Sequence, residues 1–517
     1  MFPGTPASSH SPKTVSGACI IEIQLQNGKI LIEILIQLIT VNSFREILRK
    51  NGSAVDAAIA ALLCTSIINP QSAGIGGGSI FTIMDRSGKV TIINSRETVP
   101  SNVTPDLSEP YDSRWIGVPG EIRGYEAAHR LYGKLPWADL FQPAIKLARN
   151  GSRIEYTHGQ YIQQWFSFIS LSLSFRELYL DKNGNLLKTG DTVKFEKLAD
   201  TLETIANEGP DVFYNGTIAK NLISDIQKAG NLTLGDLASY EVKVTEAWNI
   251  SLGDYMMYFP PPPAGGAILS LILNIMKGYK INKEPNTTDE KTLFYHRYIE
   301  ALKFANGLRK RIGDPKFDPA NVSITWTDLH LLLLDRGKSF LSSYIYKGTT
   351  HVSVLAEDGS AVSVTSSIND ESVSGWLVLY LSGERPPSSM APAVLKSQSK
   401  MLVIGGAGST MITTGIASVY LLHSNLSCNH HFIISKIAVY FLSLPKALIN
   451  HLWFNKSLED AIKAPVFFVD SEYDVMFEPE LTQKVIYSHT LAGDAAGTLA
   501  NTSCSLRQTT HGASGTQ

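Results

Sequence analysis

Cysteine is scarce in this 517-residue chain, which has only Cys19, Cys64, Cys428 and Cys504. These four form no Cys-x-x-Cys pair, so the sequence gives no support to a zinc finger or a thioredoxin-type redox site. The formal net charge is −2, and the chain therefore lacks the basic surplus typical of nucleic-acid-binding proteins. We expect neither a structural zinc ion nor a nucleic-acid partner.

Long apolar runs are scarce too. The apolar stretch at residues 29–41 is too short to span a bilayer, and it contains Glu33 and Gln37. Residues 1–17 are rich in Ser, Pro and Thr, a composition typical of disordered segments. We leave residues 1–42 unassigned and expect no membrane anchor within them.

Glycosylation sequons, by contrast, are plentiful. The chain holds eleven Asn-x-Ser/Thr triplets, at Asn51, Asn102, Asn150, Asn215, Asn231, Asn249, Asn286, Asn321, Asn425, Asn455 and Asn501. Many such triplets arise by chance, but this density favours a secreted or cell-surface glycoprotein. With 44% hydrophobic and 18% charged residues, the composition fits an ordinary globular protein of one large or two medium domains.

The segment from 347 to 369 contains the clearest local pattern. Alternating apolar positions follow Gly348-Thr349, an Asp-Gly turn falls at Asp358-Gly359, and a second alternating run covers Ala361–Thr365. Asp-Gly between two such runs is among the strongest short-range signals for a β-hairpin. We predict a hairpin that begins at Thr349.

A threonine directly after a glycine, at the head of a buried strand, is typical of enzymes that cut their own chain. The cut exposes an α-amine whose pKa is roughly 7.7–8.0. That amine can act as the base for the hydroxyl of the same residue, which makes Thr349 a candidate nucleophile. Because threonine-led hairpins also occur in ordinary β-rich proteins, the pattern alone leaves both interpretations open.

Two glycine-rich segments favour different roles. GIGGGS at 74–79 ends in Ser79 and follows a predicted helix, so it does not fit the strand-to-helix dinucleotide fingerprint. GGAGST at 405–410 could form a turn whose adjacent amides hold a tetrahedral oxyanion. His430-His431 lacks a third metal ligand, and we predict no metal site there.

A series of longer motifs follows in order along the chain: NGSAVDAAIAALLC at 51–64, GIGGGSIFTI at 74–83, NSRETVP at 94–100, GVPGEIRGYEAAH at 117–129, LPWADLFQPAIKLARNG at 135–151, GTTHVSV at 348–354, RPPSSMAP at 385–392 and VIGGAGST at 403–410. Together they resemble the γ-glutamyltransferase (glutathione hydrolase) family, whose members are N-terminal-nucleophile hydrolases. The run PPPPAGGAILS at 260–270 is most similar to the type 5 branch, the leukotriene C4 hydrolases. The resemblance covers about 43–410 and a short piece near 451–488.

This resemblance implies an α+β fold, the four-layer αββα sandwich of the N-terminal-nucleophile hydrolases. It implies autocleavage between Gly348 and Thr349, which would divide the chain into a large-subunit region, 43–348, and a small-subunit region, 349–517. The two fragments are expected to stay associated as a heterodimer, and no cofactor is expected.

The activity that the resemblance implies is hydrolysis and transfer of γ-glutamyl groups. Expected substrates are glutathione, glutathione S-conjugates and leukotriene C4, with water, amino acids or dipeptides as acceptors. Family members act at the extracellular face of the plasma membrane, so we expect a cell-surface location although residues 1–42 supply no anchor.

The catalytic residues are carried over by motif. Thr349 would attack the γ-carbonyl, and Ser367 matches the threonine that hydrogen-bonds the nucleophile. Gly408 matches the first of two glycines whose amides bind the oxyanion. Ser409 stands where the second glycine is usual, and its backbone donor survives unless the turn needs a positive φ.

The substrate-binding residues are carried over in the same way. Arg96 matches the arginine that binds the α-carboxylate, a task suited to a bidentate guanidinium, although the residues alone suggest a surface ion pair with Glu97. Ser388 and Ser389 match paired serines that contact the same carboxylate, and alone they suggest a turn. Asn369 matches an asparagine that holds the α-amino group.

Three segments depart from the family pattern. The stretch 373–389 lacks the Asn-Asn-Glu core that binds the α-ammonium, and Glu384 belongs to the later GERPPSS motif. Residues 419–447 interrupt a helix as a foreign insert, and 491–517 form an atypical tail. These departures keep an alternative open, a catalytically inactive glycoprotein of the same fold.

Overall fold

The computed structural model describes part of the chain, residues 43, 45–102, 116–166, 173–226, 231–279, 287–309, 312–317, 348–368, 381–408, 412–413, 417, 432–433, 467–469 and 475–477. Among the residues singled out above, Asn369, Ser409 and His430-His431 lie outside these ranges, as do the segments 1–42 and 491–517.

Over the described residues the chain is a mixed α/β protein. Its helices are α1 (Ala54–Ile68), α2 (Glu121–Tyr132), α3 (Trp137–Asn150), α4 (Tyr156–Gln164), α5 (Leu173–Tyr179), α6 (Glu196–Glu208), α7 (Asp211–Tyr214), α8 (Thr217–Ile226), α9 (Leu234–Ala238), α10 (Gly266–Gly278) and α11 (Thr288–Leu308). Its strands are β1 (Gly78–Met84), β2 (Val90–Ser95), β3 (Ser152–Arg153), β4 (Thr192–Val193), β5 (Lys243–Glu246), β6 (Trp248–Leu252), β7 (Tyr255–Phe259), β8 (Thr349–Leu355), β9 (Ala361–Ser367), β10 (Ala393–Lys396), β11 (Met401–Ile404), β12 (Phe432–Ile433), β13 (Phe467–Val469) and β14 (Val475–Phe477).

The first sheet has the strand order β5-β2-β1-β9-β8 and is antiparallel throughout. The predicted hairpin is confirmed, since β8 pairs with β9 from Thr349↔Ser367 to Leu355↔Ala361. Gly359 has a φ of 80°, a conformation that glycine adopts without steric cost, and so closes the turn. The hairpin brings Thr349 and Ser367 to the same end of the sheet.

The second sheet has the order β12-β11-β10-β7-β6, with β11 and β12 parallel and the other neighbours antiparallel. Strands β10 and β11 pack against the first sheet, and Met84, Leu355, Val394 and Met401 are buried together between the two sheets. Side chains on a strand alternate between its two faces. Thr349, His351 and Ser353 therefore face the second sheet, whereas Val352 and Val354 join the core on the other side.

Helices cover the two outer faces. Residues of α1, α2, α3 and α6 form one buried cluster with the outer face of the first sheet, and α10 and α11 form another with the second sheet. A capping box begins α1, because the Ser53 hydroxyl accepts the Asp56 amide hydrogen and the Asp56 carboxylate accepts from the Ser53 amide. Over the described residues the packing order is helices, sheet, sheet, helices.

The region 197–240 is divided, over its described residues, among helices α6 to α9. Helix α6 ends where Gly209 takes a φ of 88°, and Pro210 then begins the short α7. Among the described helices none is both long and apolar enough to cross a membrane.

Candidate active site

Thr349 and Ser367 meet at the first pair of the β8–β9 hairpin. The Thr349 Oγ1 and Ser367 Oγ atoms are 3.3 Å apart, and Ser367 Oγ donates a hydrogen bond of 2.7 Å to the Gly348 carbonyl oxygen. A serine hydroxyl has one hydrogen to give. The Thr349 hydroxyl is therefore the donor toward Ser367, and a relay of hydrogen bonds runs from Thr349 to the carbonyl of the residue before it.

Gly348 occupies a site with no space for a side chain. A Cβ built on this glycine would lie 2.1 Å from the Gln71 carbonyl oxygen and 3.0 Å from Ser72 Cα. Both contacts involve backbone, which cannot turn aside as a flexible side chain can. Close packing of the Gly348 backbone on the loop after α1 thus fixes the peptide that precedes the candidate nucleophile.

Arg96 is buried at the end of β2 and holds the turn that carries the paired serines. Its Nε donates to the Pro386 carbonyl oxygen at 2.8 Å, and its Nη2 donates to the Pro387 carbonyl at 3.3 Å. The ion pair with Glu97 also exists, at 3.4 Å, but it is buried rather than on the surface. Arg96 therefore fixes the backbone directly before Ser388 and Ser389.

Gly78 of β1 lies between the Thr349–Ser367 pair and Arg96. It pairs with Ser367, and a Cβ on it would lie 2.8 Å from Arg96 Cα. Adjacent strands lie about 4.8 Å apart, so three such steps separate the Arg96 and Thr349 backbones by about 14 Å. Thr349, Ser367, Arg96 and the paired serines are thus brought to one end of the first sheet.

The glycine-rich turn after β11 rests on a histidine that the sequence did not single out. A Cβ on Gly405 would lie 2.1 Å from His351 Cε1, so the glycine backbone packs directly on the ring. Both ring nitrogens have hydroxyl neighbours, Thr365 Oγ1 at 2.9 Å and Ser353 Oγ at 2.8 Å. Burial lowers the pKa of His351 to about 3, so the imidazole is neutral at physiological pH.

Gly408, the candidate oxyanion donor in this turn, has a φ of 124°. That conformation favours glycine and explains the residue type at this position. Ser409 and the α-amino candidate Asn369 lie outside the described residues, and their roles stay predictions.

Glu121, at the start of α2, is a second buried group that sequence reasoning missed. It lies against the opposite face of the first sheet, beside the hydroxyls of Ser79, Ser366 and Tyr125, yet its carboxyl oxygens complete no hydrogen bond of normal geometry. Desolvation raises the pKa of this carboxyl to about 8, helped by the nearby Glu97 charge. Ser79 and Ser366 are the chain neighbours of Gly78 and Ser367, so this carboxyl lies behind the end of the sheet that holds the candidate nucleophile.

Glu121 makes stability depend on pH in a definite direction. Because its folded pKa is above the ordinary value of 4.5, protonated Glu121 stabilises the fold fully below pH 4.5, and that contribution is lost as pH rises through about 8. We expect Glu121→Gln to match the parent near pH 4.5 and to melt a few degrees higher at pH 9. Thermal unfolding across this range measures the difference, with the exposed Glu208→Gln as control. Parallel curves for parent and Glu121→Gln would contradict the prediction.

The charged and titratable neighbours of Glu121 do not reverse this direction. Tyr125 on the same helix, Glu97 after β2, and Tyr214 and Tyr240 from the surrounding elements all face it. Burial raises the pKa of each tyrosine, so these phenols stay neutral over the range of the test.

The GIGGGS loop at 74–79 packs against the N-terminus of α2. The Gly77 carbonyl accepts hydrogen bonds from the Gly120 and Glu121 amides at 2.9 and 3.0 Å, so the GIGGGS loop uses the α2 N-terminus for its own packing. Among the residues that the structure describes, no group of three or more His, Cys, Asp or Glu side chains could hold a metal ion.

The chain is similar in sequence to known proteins. A model of the gamma-glutamyltranspeptidase family matches residues 43–379. The glutathione hydrolase 5 proenzyme of Rattus norvegicus is 40% identical over 497 residues, with 85% of this chain and 82% of that protein covered. The human protein of the same name is 39% identical over 513 residues, with the same coverage.

Solved structures give the fold. Cephalosporin acylase from Bacillus halodurans matches with a TM-score of 0.70 over 88% of this chain and 86% of that one, at 21% identity, a level that shows the fold alone. The gamma-glutamyltranspeptidase of Helicobacter pylori matches with a TM-score of 0.50 at 28% identity, over 54% of this chain and 83% of that one.

Proposed function

The chain belongs to the γ-glutamyltranspeptidase (glutathione hydrolase) family of enzymes, and on that premise we propose that it cuts itself before Thr349 and then uses Thr349 as the nucleophile on γ-glutamyl substrates. The observation that carries the proposal is the relay from the Thr349 hydroxyl through Ser367 to the Gly348 carbonyl oxygen. We also infer that the whole chain completes a four-layer αββα sandwich, divided into the regions 43–348 and 349–517.

Maturation follows from this relay. Thr349 Oγ1 attacks the Gly348 carbonyl carbon, the Gly348–Thr349 peptide bond breaks, and an ester forms while the nitrogen gains a proton. Water then hydrolyses the ester, which frees the Gly348 carboxylate and the Thr349 α-amine. Ser367 supports the attack because its hydroxyl, 2.7 Å from the carbonyl oxygen, stabilises the negative charge that develops there.

The mature site uses the amine that the cut releases. The α-amine removes the proton from Thr349 Oγ1, the oxygen attacks the γ-carbonyl of the substrate, and the amine product leaves with that proton. Water or an acceptor amine then cleaves the γ-glutamyl ester. The amides of Gly408 and Ser409 are the proposed oxyanion donors, and Arg96, Asn369, Ser388 and Ser389 the proposed contacts to the amino-acid head.

We propose glutathione, its S-conjugates and leukotriene C4 as substrates, and the extracellular face of the plasma membrane as the site of action. The similarity to glutathione hydrolase 5 proenzymes supports the substrate class. Of the six sequon asparagines that the structure describes, Asn51, Asn102, Asn150, Asn215 and Asn249 are exposed and Asn231 is half-buried, which supports a glycosylated surface.

Incubation of the purified chain with glutathione tests the proposal. Release of glutamate and cysteinylglycine is the expected result, and acceptor dipeptides should divert part of the glutamate into γ-glutamyl peptides. A chain with Thr349 at the N-terminus of its small fragment but with no turnover would instead support the inactive glycoprotein.

Ser367 offers a separate test of the maturation step. We expect Ser367→Ala to slow self-cleavage by about 10²–10³-fold, the usual cost of one oxyanion donor, because the Gly348 carbonyl loses its hydrogen bond. Ser367→Thr should restore cleavage since it keeps the hydroxyl. The cut fraction is followed over time by gel electrophoresis, with Ser360→Ala in the exposed hairpin turn as control. Cleavage of Ser367→Ala at the parental rate would remove Ser367 from the mechanism.

A further inference from the structure

Arg309, at the end of α11, contacts Ser389, the second of the paired serines. Its Nη1 donates to Ser389 Oγ, and its Nη2 donates to Asn306 Oδ1 at 3.1 Å and to Thr413 Oγ1 at 2.9 Å. No sequence motif considered above includes this residue. The contact joins the end of a helix in the large-subunit region to the turn that carries Ser388 and Ser389.

In the contact between Arg309 and Ser389, the guanidinium is the donor and the hydroxyl is the acceptor. A guanidinium has only donors, whereas a serine hydroxyl can accept two hydrogen bonds and donate one. Ser389 must therefore accept from Arg309, and its own hydrogen points to another partner. The Ser388 hydroxyl is also an acceptor, because its Oγ accepts the Met390 amide hydrogen at 3.1 Å. Among the described residues neither serine hydrogen has a protein acceptor.

Both serines are partly exposed, as a substrate contact requires. The packing around the Arg309 guanidinium removes enough water to lower its pKa to about 10, and the group is still cationic at neutral pH. Two hydroxyl groups that have a hydrogen left to donate, one of them bonded to a cation, form a site that favours an anionic acceptor such as a carboxylate.

We propose that Arg309 is a positioning residue for substrate binding, which orients the Ser389 hydroxyl hydrogen toward the α-carboxylate of the γ-glutamyl group. The inference rests on the proposed function, since it takes a γ-glutamyl substrate as the occupant. It also gives Thr413 a role, because the same guanidinium ties Ser389 to the segment that follows the glycine-rich turn.

The experiment compares two chromogenic substrates, γ-glutamyl-p-nitroanilide and 4-aminobutyryl-p-nitroanilide, which lacks the α-carboxylate. We expect Arg309→Met to raise KM for the γ-glutamyl substrate about ten- to a hundredfold, as expected for one charge-assisted contact, with little change in kcat. Its kcat/KM for the 4-aminobutyryl substrate should stay within about twofold of the parent. Arg297→Met, on the same helix, is the matched control, because Arg297 stacks on Tyr279 instead.

A double-mutant cycle separates positioning from a merely structural role. In a Ser389→Ala background Arg309→Met should add little to the KM effect, because the hydroxyl that Arg309 orients is gone. Arg309→Lys, which keeps the charge and a donor, should give an intermediate KM and serves if the methionine variant fails to fold. Equal losses on both substrates, or a full effect without Ser389, would overturn the inference. A parent enzyme that releases no nitroaniline from the γ-glutamyl substrate would instead reject the proposed function.

Discussion

Replacing Thr349 with alanine is expected to leave one uncut chain without measurable γ-glutamyl turnover. The substitution removes the oxygen that attacks the Gly348 carbonyl, and without the cut the α-amine that serves as base never forms. The expected loss of activity is on the order of 10⁴-fold or more, as found when a nucleophile is deleted from other hydrolases. Thr349→Ser keeps the hydroxyl and should still cut.

Intact-mass measurement and N-terminal sequencing check this result. The parent should give fragments 1–348 and 349–517, and the small fragment should begin Thr-Thr-His-Val. Two fragments from the alanine variant, or another N-terminus from the parent, would disprove the mechanism of maturation.

Adding a single methyl group at Gly348 should block the same step without touching the nucleophile. In Gly348→Ala the Cβ would lie 2.1 Å from the Gln71 carbonyl oxygen, so the peptide before Thr349 must shift. A displacement of about 1 Å at a reacting centre can cost roughly a hundredfold in rate, and we expect self-cleavage to slow at least that much.

Time courses of cleavage for Gly348→Ala measure this effect. Gly278→Ala is the matched control, because a Cβ at Gly278 meets nothing within 4 Å and the backbone there is ordinary. If Gly348→Ala were cut as fast as the parent, close packing on Gln71 could not be what fixes the scissile peptide.

Local patterns in the sequence predicted the elements that carry the nucleophile. The Asp-Gly turn and the two alternating runs predicted the β8–β9 hairpin. Ser367 was carried over from the family resemblance, and the hairpin register of the structure places it opposite Thr349. Arg96 and the paired serines required the family resemblance, since nothing local joins residue 96 to residues 386–389.

The positions of Glu121, Arg309 and His351 beside the candidate site could not be predicted, because they depend on packing between segments that are distant in the sequence. Glu121 looked like an ordinary first-turn acid, and only the fold places it against the hydroxyls of β1 and β9. Arg309 reaches Ser389 across 80 positions. His351 lies two residues after the nucleophile, but its role beneath Gly405 appears only when the two sheets stack.

The strand order of the two sheets has a consequence for the life of the mature protein. In the first sheet β9, which follows the proposed cut, pairs along its length with β1, which precedes it, and in the second sheet β10 pairs with β7. Once the chain is cut, each of these two five-stranded sheets is shared between the fragments, and neither fragment holds all the strands of either sheet. If the mature protein unfolds and its two fragments separate, they would have to meet again by diffusion before either could refold. Folding is intramolecular only while the precursor is intact. After self-cleavage, refolding would require two fragments to associate and would therefore be slower than the first folding of the precursor.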